Sequence, residues 1–427
     1  MTVIAGRYEL KGELGQGGMG TVYRARDLTL ARDVALKLMS ARFLAQPDAL
    51  PRFEREARVG AKLQHPHVVA TYDFGQVDGS AHPEGAGSPD GSLAFLVMQL
   101  LDGGDLRAYV DRHERLPFET IQLIGYQVAD ALCAAHALEI THRDLKPENL
   151  LVETSDPLHV RIADFGMAFM EAAGPKEGRM TEQGHFAGTP VYMAPEQVLD
   201  QPVTPAVDVY ALGVILYELV AGQPPFDGTA ASLLAAHAYA DPPPLEKARP
   251  DVPPALVELI VRMLAKSPGD RPSPQVIRRR IGAWLGDRLP PEARERDAAP
   301  LSDRDQRMIS QIGERPELAS PSSATAVPIA VRGELPADLA AAFRVAGFDI
   351  VRDDRPHAAV FAIGQSESAL VELVAAGAPV IATCPRGQVT QLAALIRVGI
   401  SEVVIEPPAL DAVVRKIRRA VATRGVS

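Results

Sequence analysis

Apolar and polar positions alternate early in the chain, in Tyr8-Glu9-Leu10-Lys11 and again in Val34-Ala35-Leu36-Lys37-Leu38. A period of two sends successive side chains to opposite faces of a strand, so residues 8–98 are predicted to form a small sheet-rich lobe with one helix. The stretch from Gly79 to Asp90 is dense in glycine, proline and small polar residues and reads as a strand-to-strand loop. From Leu106 helical periodicity takes over, clearest in Ile121 to Leu132 and Ala211 to Leu219, which predicts a helical lobe over 99–286. Charged residues from Pro290 to Asp305, then serine, proline and alanine from Leu318 to Thr325, mark 287–326 as a polar linker. Apolar runs return at Val327 and alternate with helix-like patterns, the rhythm of an α/β unit over 327–427.

Length agrees with this division, since 427 residues exceed what one hydrophobic core serves and 47% apolar residues can build more than one. A formal net charge of -10 gives no support to nucleic-acid or general membrane-surface binding. Cys133 and Cys384, far apart in apolar settings, argue against a disulfide framework or a zinc site and for a reducing compartment. The opening Met1-Thr2-Val3-Ile4-Ala5-Gly6-Arg7 lacks the apolar core of a signal peptide. No run approaches the ~18 apolar residues of a membrane span. A cytoplasmic protein is expected.

One loop concentrates chemistry: His142-Arg143-Asp144-Leu145-Lys146-Pro147-Glu148-Asn149. Its carboxylate can take a hydroxyl proton, its ammonium can neutralise a γ-phosphate, and its asparagine can hold a magnesium ion bridging phosphates. Upstream lie Gly15-Gln16-Gly17-Gly18-Met19-Gly20-Thr21-Val22 and Val34-Ala35-Leu36-Lys37, and downstream lie Asp164-Phe165-Gly166 and Ala194-Pro195-Glu196. The five segments stand in the order of the protein-kinase signature set. From about residue 8 to 286 the chain resembles a eukaryotic-like, bacterial-type serine/threonine protein kinase, which implies an α+β bilobal fold using ATP and Mg2+ or Mn2+.

The resemblance assigns Asp144 as the catalytic carboxylate and Lys146 as its phosphoryl-stabilising partner, with Asn149 and Asp164 as metal ligands. Leu14, Gly15, Gly17 and Gly20 would approach the phosphates, and Lys37 would hold them while pairing with Glu56. Val22, Ala35 and Leu151 would pack on adenine, Met98 would guard the back of that pocket, and main-chain groups of Gln99 and Leu101 would bind the adenine edge. Asp105 has two readings, a ribose contact or an N-cap for the helix opening at Leu106. Arg143 implies control by phosphorylation, with Thr181 and Thr189 as activation-loop candidates. Glu196 with Arg271, and Asp208 beneath the catalytic loop, would be structural supports, and His142 a packed histidine. Gly60, one turn beyond Glu56, weakens its helix by roughly 1 kcal/mol, which suggests a helix poorly anchored alone.

The segment 327–427 resembles a response-regulator receiver, a small flavodoxin-like α/β fold, with fewer matching positions. The acidic residues expected after its first strand, the phosphoacceptor aspartate after its third and the lysine before a proline after its fifth are lacking. Asp349 to His357 is also short for a parallel crossover, which leaves a trimmed receiver or another small α/β fold. Ala376-Gly377-Ala378-Pro379-Val380-Ile381 is similar to a nucleotide-sugar transferase motif, in a unit too short for that fold. A non-phosphorylatable interaction module, self-associating or binding a protein partner, is expected. The leading function is serine/threonine phosphorylation of proteins. A pseudokinase scaffold is the alternative, set against the presence of Lys37, Glu56, Asp144, Asn149 and Asp164.

Overall fold

The early alternation folds into a six-stranded antiparallel sheet built from β1 (Val3–Ile4), β2 (Tyr8–Gly17), β3 (Gly20–Asp27), β4 (Arg32–Met39), β5 (Thr71–Asp78) and β6 (Ser92–Met98). Their order is β1-β2-β3-β4-β6-β5. The computed structural model describes residues 2–17, 20–45, 49–78, 92–165, 190–290, 293–294, 296, 301–311, 327–332, 348–351, 359–362, 370, 372, 374, 380–385, 400 and 402–406. The chain divides into two units, one comprising Met1–Gln197, Gln201–Pro225 and Pro244–Gly313, the other Val198–Asp200, Phe226–Pro243 and Glu314–Ser427.

Strand β4 shows how the period of two is used. Val34, Leu36 and Leu38 join Tyr8, Phe95 and Val97 in one apolar cluster. On the opposite face Met39 packs with Phe53 and Ala57 of α2 (Ala49–Lys62), together with Leu96 and Met98. Lys37 shares that second face and is only 6% exposed, so both faces of β4 are covered and the lysine points away from bulk water. The lobe holds one short helix beyond the single one expected, α1 (Ala41–Leu44), capped by the Ser40 hydroxyl accepting from the Phe43 amide. The loop of residues 79–91 lies outside the described residues.

In the helical lobe, α3 (Leu106–Asp111) and α4 (Phe118–Ala137) precede the hairpin of β7 (Leu150–Ser155) and β8 (Leu158–Ile162). Then follow along the chain α5 (Pro195–Val198), α6 (Ala206–Ala221), α7 (Ala230–Tyr239), which belongs to the second unit, and α8 (Leu245–Ala248), α9 (Pro254–Met263) and α10 (Pro274–Leu285). Helix α6 is buried from Val207 through Val220, so it is apolar all round rather than amphipathic. Gly222, at φ 78°, ends it in the left-handed conformation a glycine adopts without strain. Two carboxylates sit inside this buried helix, Asp208 and Glu218, and both are used by the site below.

Part of the stretch expected to be a linker is folded. Ala293 is 2% exposed and its carbonyl accepts from the Tyr126 hydroxyl at 3.0 Å. Arg296 forms an ion pair of 2.9 Å with the buried Asp130, which also meets Arg278 at 3.0 Å and His65 at 3.4 Å. Beyond it α11 (Asp303–Gln311) packs Met308 and Ile309 against the helical core. Charged composition signalled solvent because the sequence does not reveal that Asp130 is buried and needs cations.

The second unit carries a five-stranded parallel sheet of β9 (Val327–Arg332), β10 (Phe348–Val351), β11 (Ala359–Ala362), β12 (Val380–Pro385) and β13 (Glu402–Glu406). The order is β10-β9-β11-β12-β13. Ala330, Val360, Ala362, Val380 and Ala382 form its buried cluster. Strands β10 and β11 lie on opposite sides of β9.

Candidate active site

The loop of residues 142–149 is held from below by α6. The Asp208 carboxylate accepts the backbone amides of His142 at 2.8 Å and Arg143 at 2.7 Å, and His136 Nε2 meets the same carboxylate at 2.9 Å. Because a carboxylate only accepts, His136 donates from Nε2. His142 is fully buried and its Nε2 lies 2.8 Å from the Ala163 carbonyl, so it is a packed histidine. Arg143 takes a φ of 67°, an uncommon conformation for a residue with a Cβ, and these bonds on its flanks hold it there.

The turn this produces gathers the candidate catalytic groups. Lys146 Nζ lies 2.7 Å from Asp144 Oδ2. Asn149 Nδ2 donates to the Asp144 carbonyl at 2.7 Å and reaches its carboxylate at 3.2 Å. The Asn149 carbonyl accepts the Ala163 amide at 2.8 Å, which brings the residue before Asp164 alongside the loop. Asp164 has a left-handed φ of 58° and its Oδ2 lies 2.8 Å from Lys37 Nζ. Burial pushes the Asp164 carboxyl up, but the Lys37 charge and hydrogen bond, with His142 and Lys146 behind them, hold it below the usual carboxylate range. Asp164 is therefore ionised at neutral pH. Asn149 and Asp164 offer one amide oxygen and one carboxylate, a donor set that suits magnesium completed by water and phosphate oxygens.

An apolar cluster adjoins these groups. Val22, Met98, Leu101 and Leu151 pack in the cluster that also holds Ala163. Ala35 pairs with Met98 across β4 and β6, and Val22 with Lys37 across β3 and β4. The Gln99 amide donates to the Ala70 carbonyl at 2.9 Å, and its side chain reaches Glu153 at 3.2 Å. Leu14, Gly15 and Gly17 lie at the exposed end of β2. Gly20 admits no other residue, because a Cβ would sit 1.9 Å from the Leu38 carbonyl oxygen. Asp105 accepts the Ala108 amide at 2.7 Å, so it caps α3. The side chain of Glu56 lies outside the described residues, as do Gly166, Thr181 and Thr189; the observed partner of Lys37 is Asp164.

On the far side of the loop, Arg271 and Glu196 make a fully buried bidentate pair at 2.6 and 2.7 Å. Arg271 also donates to the carbonyls of Ala265, Ala206 and Lys266, which satisfies its remaining protons. The protein kinase domain profile matches residues 8–280. The chain belongs to the protein kinase domain family.

Among similar proteins, the serine/threonine-protein kinase pkn3 of Myxococcus xanthus is 36% identical over 326 residues, covering 75% of this chain and 56% of that protein. PknE of Mycobacterium bovis is 40% identical over 266 residues, covering 62% of this chain and 44% of its own length. PknA of Mycobacterium tuberculosis is 39% identical over 269 residues, covering 63% and 58%. The chain thus spans about half the length of these relatives. Among solved structures, the crystal structure of Rad53 1-466 in complex with AMP-PNP superposes with a TM-score of 0.50 at 26% identity, covering 63% of each chain.

Several residues of the kinase domain that shape the site carried no signal in the sequence. Gln197 donates to the Arg143 carbonyl at 3.1 Å while accepting the Ala194 amide at 3.0 Å, tying the segment after Pro190 to the 142–149 loop. His136 and Arg107 reach the loop and its surroundings from helices, and their partners are remote in sequence. Among the described residues, no helix is long and apolar enough to cross a membrane.

Proposed function

We propose that this chain is an ATP-dependent serine/threonine protein kinase, transferring the γ-phosphate of Mg-ATP to hydroxyl groups of protein substrates. The observation that carries the reading is the convergence of Asp144, Lys146 and Asn149 in one turn, joined through Ala163 to the ion pair of Lys37 with Asp164. Asp144 accepts the proton of the attacking hydroxyl, and Lys146 beside it balances charge on the transferred group. Lys37 binds phosphate oxygens. Asn149 and Asp164 would hold the magnesium or manganese ion, which would supply neutralisation of the charge developing on the phosphoryl group. The slot of Val22, Ala35, Met98, Leu101 and Leu151 takes adenine, with Gln99 and Leu101 main-chain groups at its edge and Asp105 near the ribose. The nucleotide analogue named with the Rad53 structure accords with such a pocket.

Glu56 is the partner proposed for Lys37 in the active state. Thr181 and Thr189 are proposed autophosphorylation sites, with Arg143 as the cation that pairs with a phosphate. The domains proposed are 8–286 for the kinase and 327–427 for the C-terminal unit. The C-terminal unit is proposed as a flavodoxin-like, receiver-related interaction module, a reading supported by a parallel order equivalent to 2-1-3-4-5 within that unit. Cytoplasmic localisation, and self-association or a protein partner for this module, complete the proposal.

The test is transfer of labelled γ-phosphate from Mg-ATP to an unstructured polypeptide bearing serine and threonine. Labelled phosphoserine or phosphothreonine is expected; an unlabelled polypeptide in the presence of bound ATP would instead favour a scaffold.

A further inference from the structure

Four elements meet at one guanidinium. Arg107, on the first turn of α3, donates from Nη1 to Glu218 Oε1 at 2.7 Å and reaches Glu218 Oε2 from Nη2 at 3.3 Å. The same Nη2 donates to the Tyr192 hydroxyl, and Nε reaches Glu148 Oε1 at 3.4 Å. The Tyr192 hydroxyl itself donates to Glu218 Oε2 at 2.6 Å, so the arginine, the phenol and the carboxylate close a ring of hydrogen bonds. Burial and the Glu218 carboxylate push the Tyr192 hydroxyl well above its ordinary range, so it stays a donor.

The partners are all elements the reaction uses. Glu148 stands between Lys146 and Asn149 in the 3-10 turn Pro147–Asn149. Tyr192 lies in the segment between Pro190 and Ala194, whose end Gln197 fastens to the Arg143 carbonyl. Glu218 is on α6, about 15 Å along the helix from Asp208 at 1.5 Å per residue. One buried helix therefore anchors the catalytic loop with Asp208 and the segment after Pro190 with Glu218. The residues just before the helix make their contacts without the Arg107 side chain: Asp105 caps it, and the Gly104 carbonyl accepts the Val152 amide at 2.8 Å.

We propose that Arg107 is a positioning residue for the polypeptide substrate: its guanidinium fixes Tyr192 against Glu218 and Glu148, and so holds the segment after Pro190 in register with Asp144. The proposal rests on the protein kinase reading. A planar fork is required, because one group must serve a carboxylate bidentately, a phenol and a second carboxylate in different directions, which a lysine ammonium cannot do.

The test is steady-state kinetics of the full chain, varying Mg-ATP and a serine-bearing peptide separately, for the parent, Arg107→Ala, Arg107→Lys and Tyr192→Phe. Loss of one charge-assisted contact in the ring should raise the peptide KM about tenfold while the ATP KM stays within about twofold. Tyr192→Phe should move the peptide KM in the same direction, and combining it with Arg107→Ala should add little, as expected for members of one network. Arg107→Lys should recover only part of the loss. Should Arg107→Ala fail to fold, Tyr192→Phe, which keeps the aromatic side chain and removes only the hydroxyl, carries the same comparison. An active parent whose variants leave the peptide KM unchanged, or raise both KM values equally, overturns the proposal alone. An inactive parent removes the kinase reading and this proposal with it.

Discussion

The carboxylate of Asp208 holds Arg143, the residue that precedes Asp144, from a helix 65 residues further along the chain, accepting its backbone amide at 2.7 Å. Asp208 is fully buried, and among the described residues its carboxylate is held by these amide donors and His136. Asp208→Asn turns one acceptor into a donor facing an N–H. We expect it to lower stability by about 1.5–3 kcal/mol and turnover at least about tenfold, while ATP affinity stays near the parental value. Thermal unfolding and nucleotide titration separate the two effects; an unchanged turnover would contradict the supporting role.

The buried pair of Glu196 and Arg271 behaves differently when broken from either side. Glu196→Gln leaves a guanidinium still bonded to three carbonyls, whereas Arg271→Met leaves a buried carboxylate without its two guanidinium donors and removes the guanidinium from those carbonyls as well. Either change is expected to destabilise by about 3–5 kcal/mol, with Arg271→Met the worse. Denaturant midpoints of the two variants decide the order, and equal midpoints would count against it.

His67 predicts an acid sensitivity. Its Nδ1 lies 3.1 Å from the Val160 carbonyl, so that nitrogen donates and the ring can stay neutral, while His159 stacks 4.6 Å away. Burial first, then the charge of His159, lowers its pKa to about 3 from an ordinary 6.5. The unfolded chain therefore takes up this proton before the folded one. Stability from this group is complete above pH 6.5 and is lost as pH falls toward 3. The full loss is on the order of 3–5 kcal/mol. Melting temperature measured from pH 7 to 4 should fall more steeply in the parent than in His67→Gln, whose amide can still donate to Val160. Parallel curves would contradict the assignment.

Gly60 sits inside α2 with room for a methyl group, since a Cβ there would meet Thr71 Oγ1 at 3.7 Å and the Phe165 carbonyl at 3.8 Å, both ordinary contacts. Gly60→Ala should stabilise the helix by about 0.5–1 kcal/mol. If a weakly held α2 limits activity, the dilute, unphosphorylated variant should also turn over faster than the parent. A higher melting point with unchanged activity would reject the limiting role of the helix.

The sequence made the local parts of the site legible. Alternation along β4 placed Lys37 on a strand, and the order of the glycine segment, the 142–149 loop and the Ala194-Pro195-Glu196 segment announced the fold. Contacts between residues distant in sequence were hidden because no spacing encodes them. The Arg296 charge suggested a linker until buried Asp130 appeared beneath it. Arg107, with partners 41, 85 and 111 residues away, looked like any first-turn helix arginine.

The central claim is that Asp144 performs the proton chemistry of phosphoryl transfer, and it is tested most directly by Asp144→Asn. ATP affinity and phosphate transfer should be measured on the same preparation in the presence of magnesium. The account predicts parental nucleotide affinity, because Lys37, Asn149 and Asp164 are untouched, with transfer reduced by at least about a hundredfold. Transfer at the parental rate would contradict it.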